Sequence, residues 1–205
     1  GMVVRSEGGV TEWNAIDPNM VIDEKGNPWL TWGSFWDGIQ LVRLGKDFKT
    51  PKGKPKTVAR RYYLRNFTKE MVTEEDMERA NQAPDAGVNS IEAPFIIHEN
   101  GYYYLFASWD YCCKGANSNY KTVVVRSKKI AGPDLDKNGK DMAVGGGEII
   151  AQRDGDYYGI GHCSAYKFDG QWYFMAHGYA VANHGASKLV IKKMRFDSEG
   201  WPVLE

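Results

Sequence analysis

Three stretches of the chain repeat one pattern of apolar and polar positions. Asp17 to Gly26 runs into Asn27-Pro28-Trp29-Leu30-Thr31-Trp32, Glu92 to Gly101 runs into Tyr102-Tyr103-Tyr104-Leu105-Phe106, and His162 to Gly170 runs into Gln171-Trp172-Tyr173-Phe174. Each copy opens on a polar residue, continues as an apolar run, turns through acidic or Asn-containing residues closed by Gly, and returns as an aromatic run. That pattern predicts a β-hairpin. The closing glycines, Gly26, Gly101 and Gly170, stand 75 and 69 residues apart, a long period for one four-stranded unit that loops can accommodate. Further strands are predicted over Ile39 to Leu44, Thr122 to Ser127 and Leu189 to Phe196. Helical periodicity surfaces only over 73–82, where a capping-type Thr73 precedes Glu74, Glu75 and Asp76 and predicts one short helix.

The expected fold is therefore all-β, with about three blades of a propeller in one domain over residues 1–205. Composition agrees: 7 Trp, 12 Tyr and 8 Phe beside 23 Gly suit short aromatic strands joined by tight turns. Lys plus Arg and Asp plus Glu both number 26, so no net charge draws the chain to nucleic acid or to an anionic membrane. No apolar run approaches a membrane span, and Gly1 to Ser6 lacks the apolar core of a signal peptide. The basic run from Lys46 to Arg61 reads as a solvated loop or sheet edge rather than an anion site. Three cysteines make no disulfide framework. Adjacent Cys112 and Cys113 read first as two thiols in a loop, with a vicinal disulfide or a substrate-facing loop as the alternative. Cys163 beside His162 has no second cluster at zinc-like spacing.

Candidate chemistry emerges from counting back from each turn glycine. Asp17 and Glu92 lie nine residues before theirs and His162 lies eight before its own, so titratable groups open successive repeats. If these strands line a central channel, the three side chains converge. Two carboxylates across such a funnel meet the needs of glycoside hydrolysis, in which one protonates the leaving oxygen while the other acts opposite it or stabilises the site. Other roles stay open: an Asp-Pro turn for Asp17, a turn role for Glu92 and a satisfied interior histidine for His162.

Several motifs together resemble one family. Asn14-Ala15-Ile16-Asp17-Pro18, Gly33-Ser34-Phe35-Trp36-Asp37-Gly38-Ile39, Ile91-Glu92-Ala93-Pro94-Phe95-Ile96, Cys112-Cys113-Lys114-Gly115, Gly145-Gly146-Gly147, Gly161-His162-Cys163-Ser164 and Asp197-Ser198-Glu199-Gly200-Trp201-Pro202 are similar to endo-α-1,5-L-arabinanases of glycoside hydrolase family 43. The resemblance implies a partial five-bladed β-propeller and inverting acid/base cleavage of arabinan or arabino-oligosaccharide. It gives Glu92 the general-acid role and Asp17 the tuning and orienting role. It matches His162 to a histidine that holds a central ion, often calcium, mostly through water, and it implies an extracellular or periplasmic setting. Asn14, Ser34, Trp36 and Trp109 are candidate substrate contacts, the indoles as stacking platforms for sugar faces.

The same resemblance places a general base on an Asp in an earlier blade. Only Gly1 to Trp13 precede the Asn14 motif, and Glu7 and Glu12 match no hairpin, so the expectation is a chain lacking its N-terminal blades and that base. An open arc would expose apolar blade faces and favour a homo-oligomer or a partner completing the propeller. Three function classes remain: an arabinan hydrolase, a noncatalytic carbohydrate-binding remnant, and another family 43 activity such as β-xylosidase or α-arabinofuranosidase.

Overall fold

The protein is represented by a computed structural model, which describes residues 1–61 and 89–205. The helix expected over 73–82 lies outside these described residues. Each repeat folds as a four-stranded antiparallel meander. The first comprises β1 (Asn19–Ile22), β2 (Pro28–Trp32), β3 (Ile39–Arg43) and β4 (Lys56–Ala59). The second comprises β5 (Ile91–Glu99), β6 (Tyr102–Trp109), β7 (Lys121–Ser127) and β8 (Glu148–Ala151), and the third β9 (Tyr157–Phe168), β10 (Gln171–Ala180), β11 (Ala186–Phe196) and β12 (Pro202–Leu204). These are three blades of a β-propeller, as the repeat predicts.

Period-two alternation decides how the blades stack. Along β6, Tyr103, Leu105 and Ala107 point to one side and join Ile39, Leu41 and Val58 of the first blade. Tyr104 and Phe106 point to the other side and join Ala165, Phe174, Ala176 and Met194 of the third. The middle blade is thus buried on both faces, which accounts for the unbroken apolar run Tyr103 to Ala107. On the outer side of the first blade, Leu30, Trp32, Val42 and Leu44 are covered by Val3, Val4, Trp13 and Ala15. The third blade's outer face is open: Tyr166, Phe168, Leu189 and Ile191 are exposed, Leu189 to 69%.

The basic run from Lys46 to Arg61 passes through β4, the outermost strand of its blade, and its last two residues, just beyond that strand, are in ion pairs. Arg60 Nε lies 2.8 Å from Asp37 and Arg61 Nε 3.0 Å from the buried Asp110.

Phe106 is fully buried between two blades. Phe106→Ala is expected to cost about 3–5 kcal/mol, whereas Leu189→Ala on the open face stays within about 0.5 kcal/mol. Urea unfolding midpoints of the two variants check this; equal losses would refute the assignment of buried and open faces.

Candidate active site

The innermost strand of every blade is broken at the same place. Glu92 pairs with Ser108 and Phe95 with Phe106, so Ala93 and Pro94 face a single residue of β6. Gly161 pairs with His177 and Ser164 with Met175, leaving His162 and Cys163 opposite one residue of β10. In the first blade the Gly33 amide donates to Ile16 O at 3.0 Å while Asn19 pairs with Thr31, so Asp17 and Pro18 bulge likewise. The first residue of each bulge adopts the left-handed conformation, at φ 54° for Asp17, 54° for Ala93 and 53° for His162. A bulge twists its strand and re-aims its side chains.

This register corrects the equivalence counted from the turn glycines. Asp17, Ala93 and His162 are the counterparts, and Glu92 corresponds to Ile16 and Gly161. The count failed because the first hairpin turn is longer: Ile22 pairs with Pro28, whereas Glu99 pairs with Tyr102. Asp17, Glu92 and His162 are nevertheless brought together. The three bulges line a cleft of about 400 Å³ with Asp17, Asn19, Phe95, His162 and Ser164 in its wall, and Glu92 directly precedes its lining residue Ala93.

Glu92 is held from two sides. Tyr120 donates its hydroxyl to Glu92 Oε1 at 2.5 Å, and Ser34 Oγ lies 2.9 Å from Oε2. Ser34 reaches it because β2 continues past Gly33 to bridge Ser34 with Glu92, with the Phe35 amide donating to Ile91 O at 2.8 Å. Asp17 Oδ2 accepts the Ala93 amide at 3.2 Å. Burial raises the Asp17 carboxyl above the usual carboxylate range. His162 pulls it back down, the Glu92 charge adds to the rise, and the Ala93 amide opposes it.

The other candidates separate. Trp36 is 41% exposed and open to a ligand. Trp109 is packed instead: it is buried, Arg61 stacks 4.1 Å over its ring, and a side chain on Gly147 would come within 2.7 Å of it. Its expected role as a sugar platform is corrected to interior packing. Asn14 is half-buried, with its carbonyl accepting the Ile16 amide at 3.0 Å. His162 is exposed and stacks on His177 at 5.4 Å. Among the described residues no group of three or more His, Cys, Asp or Glu side chains could hold a metal ion. An ion at His162 would therefore draw its remaining ligands from water or carbonyl oxygens.

Cys112 and Cys113 form a disulfide, so the alternative reading of that pair holds over the two free thiols. Their loop turns tightly: the Tyr111 amide donates to Asn119 Oδ1 at 2.9 Å and the Lys114 amide to Ser118 Oγ at 3.1 Å. Cys113 Sγ lies 3.5 Å from the Tyr179 hydroxyl of the third blade. Sequence reasoning missed Tyr120, which sits in this loop outside the repeat, and Ser108 and His177, which face the bulges from the second strand of their hairpins. A repeat alignment on paired residues would have found the latter two.

A larger groove of about 670 Å³ lies elsewhere, beside Tyr102, Arg126 and Trp201. Arg126 stacks on both rings, at 4.6 and 4.2 Å, so their faces are already covered. The carboxylates converge at the smaller cleft, and we place the site there.

The model of glycosyl hydrolases family 43 matches residues 3–202. The chain belongs to glycoside hydrolase family 43. It is 40% identical, along its whole length, to an extracellular exo-α-(1→5)-L-arabinofuranosidase of Cellvibrio japonicus and 38% identical over 98% of its length to an extracellular endo-α-(1→5)-L-arabinanase of Bacillus subtilis. These matches take in 56% and 54% of those relatives, so the family 43 chain spans about half their length. Among solved structures it superposes on an exo-1,5-α-L-arabinanase from a bovine ruminal metagenomic library with a TM-score of 0.88 at 74% identity, covering 100% of this chain and 62% of that one. A Cellvibrio cellulosa α-L-arabinanase complexed with arabinohexaose gives 0.85 at 36% identity, covering 100% and 61%.

Because the folded state holds the Asp17 proton more tightly than the unfolded chain does, this group's contribution to stability is greatest below the ordinary carboxylate pKa near 3.8 and is lost as pH rises through the folded value. Asp17→Asn removes that loss. The variant is expected to gain stability over the wild type as pH is raised from 4 to 7 in urea titrations; a difference that stays flat with pH would count against the burial of this carboxyl.

Proposed function

We propose that this chain forms the acid-bearing part of an arabinan hydrolase, with Glu92 as general acid and Asp17 as the residue that orients and tunes it. The observation that carries the reading is the pair of carboxyls at one bulge-lined cleft, one of them held by two hydroxyls. Mutual repulsion favours one proton on such a pair. Asp17 accepts the Ala93 amide and is proposed as the charged partner of the pair, with Glu92 as the proton carrier. In inverting hydrolysis Glu92 passes it to the oxygen leaving the anomeric carbon, while water attacks from the opposite face and gives its proton to a base. The base is proposed to lie beyond these three blades, in the part of the propeller that the relatives have and this chain does not span. The exposed Tyr166, Phe168, Leu189 and Ile191 support a further blade packing there, from the same or another chain. No step is routed through a metal; an ion near His162 would be held there through water.

The substrate is proposed to be α-1,5-linked arabinan or its oligosaccharides, since the relatives are named for it, and the setting extracellular, as for two of them. Trp36, exposed and two residues after the Ser34 that contacts Glu92, is the proposed stacking platform. Asn14 is a weaker candidate contact, and Ser34 acts through Glu92.

Reducing-end release from linear α-1,5-arabinan, with binding of arabino-oligosaccharide measured alongside, tests the reading. Glu92→Gln is expected to lower release by roughly 10²–10⁴-fold and to spare binding. Binding by the wild type without cleavage would support the noncatalytic carbohydrate-binding reading, and products of monosaccharide length alone would favour an exo-acting family 43 activity. Trp36→Ala is expected to weaken oligosaccharide binding by about 1 kcal/mol in calorimetry; unchanged affinity would remove Trp36 from the site.

A further inference from the structure

The hydroxyl behind Glu92 has more to say than that the carboxyl is held. Tyr120 is 1% exposed, so its phenol must find its partners within the protein. It lies at 2.5 Å from Glu92 Oε1. Its other neighbour is the Ser108 hydroxyl, and Ser108 Oγ already accepts the His162 amide at 2.7 Å. An amide can only donate, so the Ser108 proton is free to point toward the phenol oxygen and the phenol proton toward Glu92. Burial, followed by the Glu92 charge, also pushes the Tyr120 phenol far above its ordinary range, so it stays a donor.

The third blade is shaped around this ring. At Gly161, the counterpart of Glu92, a Cβ would collide with the Tyr120 ring, and at Gly159 it would come within 2.7 Å of the Tyr120 amide nitrogen. The Ile160 amide donates to Tyr120 O at 3.0 Å. Where the second blade carries the acid, the third carries a glycine, and the ring occupies the space a side chain would have filled.

We propose that Tyr120 is a positioning residue that fixes Oε1 of Glu92 as an acceptor and so places the acid's transferable proton on Oε2, where the Ser34 hydroxyl, a donor to the ionised carboxylate, turns to leave room for it. This rests on the reading of Glu92 as the general acid. Removing the phenol hydroxyl leaves the carboxyl in place but lets its proton settle on either oxygen, so proton delivery suffers and substrate binding does not.

Tyr120→Phe tests the proposal through two readouts. With arabino-oligosaccharide, kcat is expected to fall on the order of 10²-fold at nearly unchanged KM, while an aryl arabinofuranoside with an acidic phenol as leaving group, which needs no proton, is cleaved at close to the wild-type rate. Equal losses on both substrates would overturn the proposal. The second readout needs no turnover: the infrared carbonyl band of protonated Glu92, isolated as the difference between wild type and Glu92→Gln at acid pH, is expected to move to higher wavenumber in Tyr120→Phe because its oxygen loses a donor. A band that stays in place shows Oε1 was not the accepting carbonyl and overturns the proposal even if the chain cleaves neither substrate, an outcome that would defeat the hydrolase reading separately.

Discussion

Everything at the site depends on one backbone constraint, the bulge that lies just before β1, near the start of β5 and within β9. A regular inner strand would alternate its side chains between the two neighbouring blades and offer none to the centre. Inserting one residue in the left-handed conformation breaks that alternation and turns a side chain toward the axis. Left-handed backbone costs about 1–2 kcal/mol per non-glycine residue, and each of the three bulges accepts it, at Asp17, Ala93 and His162. Rigid neighbours hold the strain in place: Asp17 accepts the Ala93 amide, Asn19 Oδ1 accepts the Ile96 amide at 3.0 Å, and Ser108 accepts the His162 amide. Each bulge is thus tied to the neighbouring blade, and the relative placement of the blades sets the geometry of the cleft.

Much of the fold was legible because a propeller blade is a local object. The turn glycines Gly26, Gly101 and Gly170 and the aromatic second strands lie within a few residues of what they pair with, so the pattern survives in the linear sequence. The unbroken apolar run Tyr103 to Ala107 likewise carries the mark of a strand buried on both faces. The bulge was not legible as such. It adds a residue to the inner strand without altering its apolar character, and the longer turn at Asp23 to Asn27 hid the one-residue shift that separates Glu92 from Asp17 and His162.

The site was legible only where its residues belong to the repeat. Asp17, Glu92 and His162 stand eight or nine residues before their turn glycines and could be counted out. Tyr120 comes from a loop, and its contact with Glu92 depends on two glycines of another blade about 40 residues later; no local pattern announces such a fit. Trp109 shows the converse error. Its place after an aromatic strand suggests a platform at the cleft mouth, yet Arg61, brought in by its pairing with Asp110, covers the ring. Cys112 and Cys113 could be read either way because adjacency alone does not say whether a loop closes tightly enough to join them.

The position of Glu92 in the middle blade explains why the acid's surroundings are so fully formed. Ser34 follows the second strand of the first blade, Tyr120 comes from a loop of the second, and Gly161 with the His162 amide from the third, so among the described residues all three blades contribute groups that touch or orient this carboxyl. On the proposed reading, a base acting across the sugar from Glu92 stands on the far side of the axis, where other blades would make the wall. Under that proposal the two halves of an inverting mechanism separate along the architecture: the acid would depend on contacts between consecutive blades, and the base on closure of the ring. An arc of three blades can preserve the first in full while the second depends on what covers Tyr166, Phe168, Leu189 and Ile191.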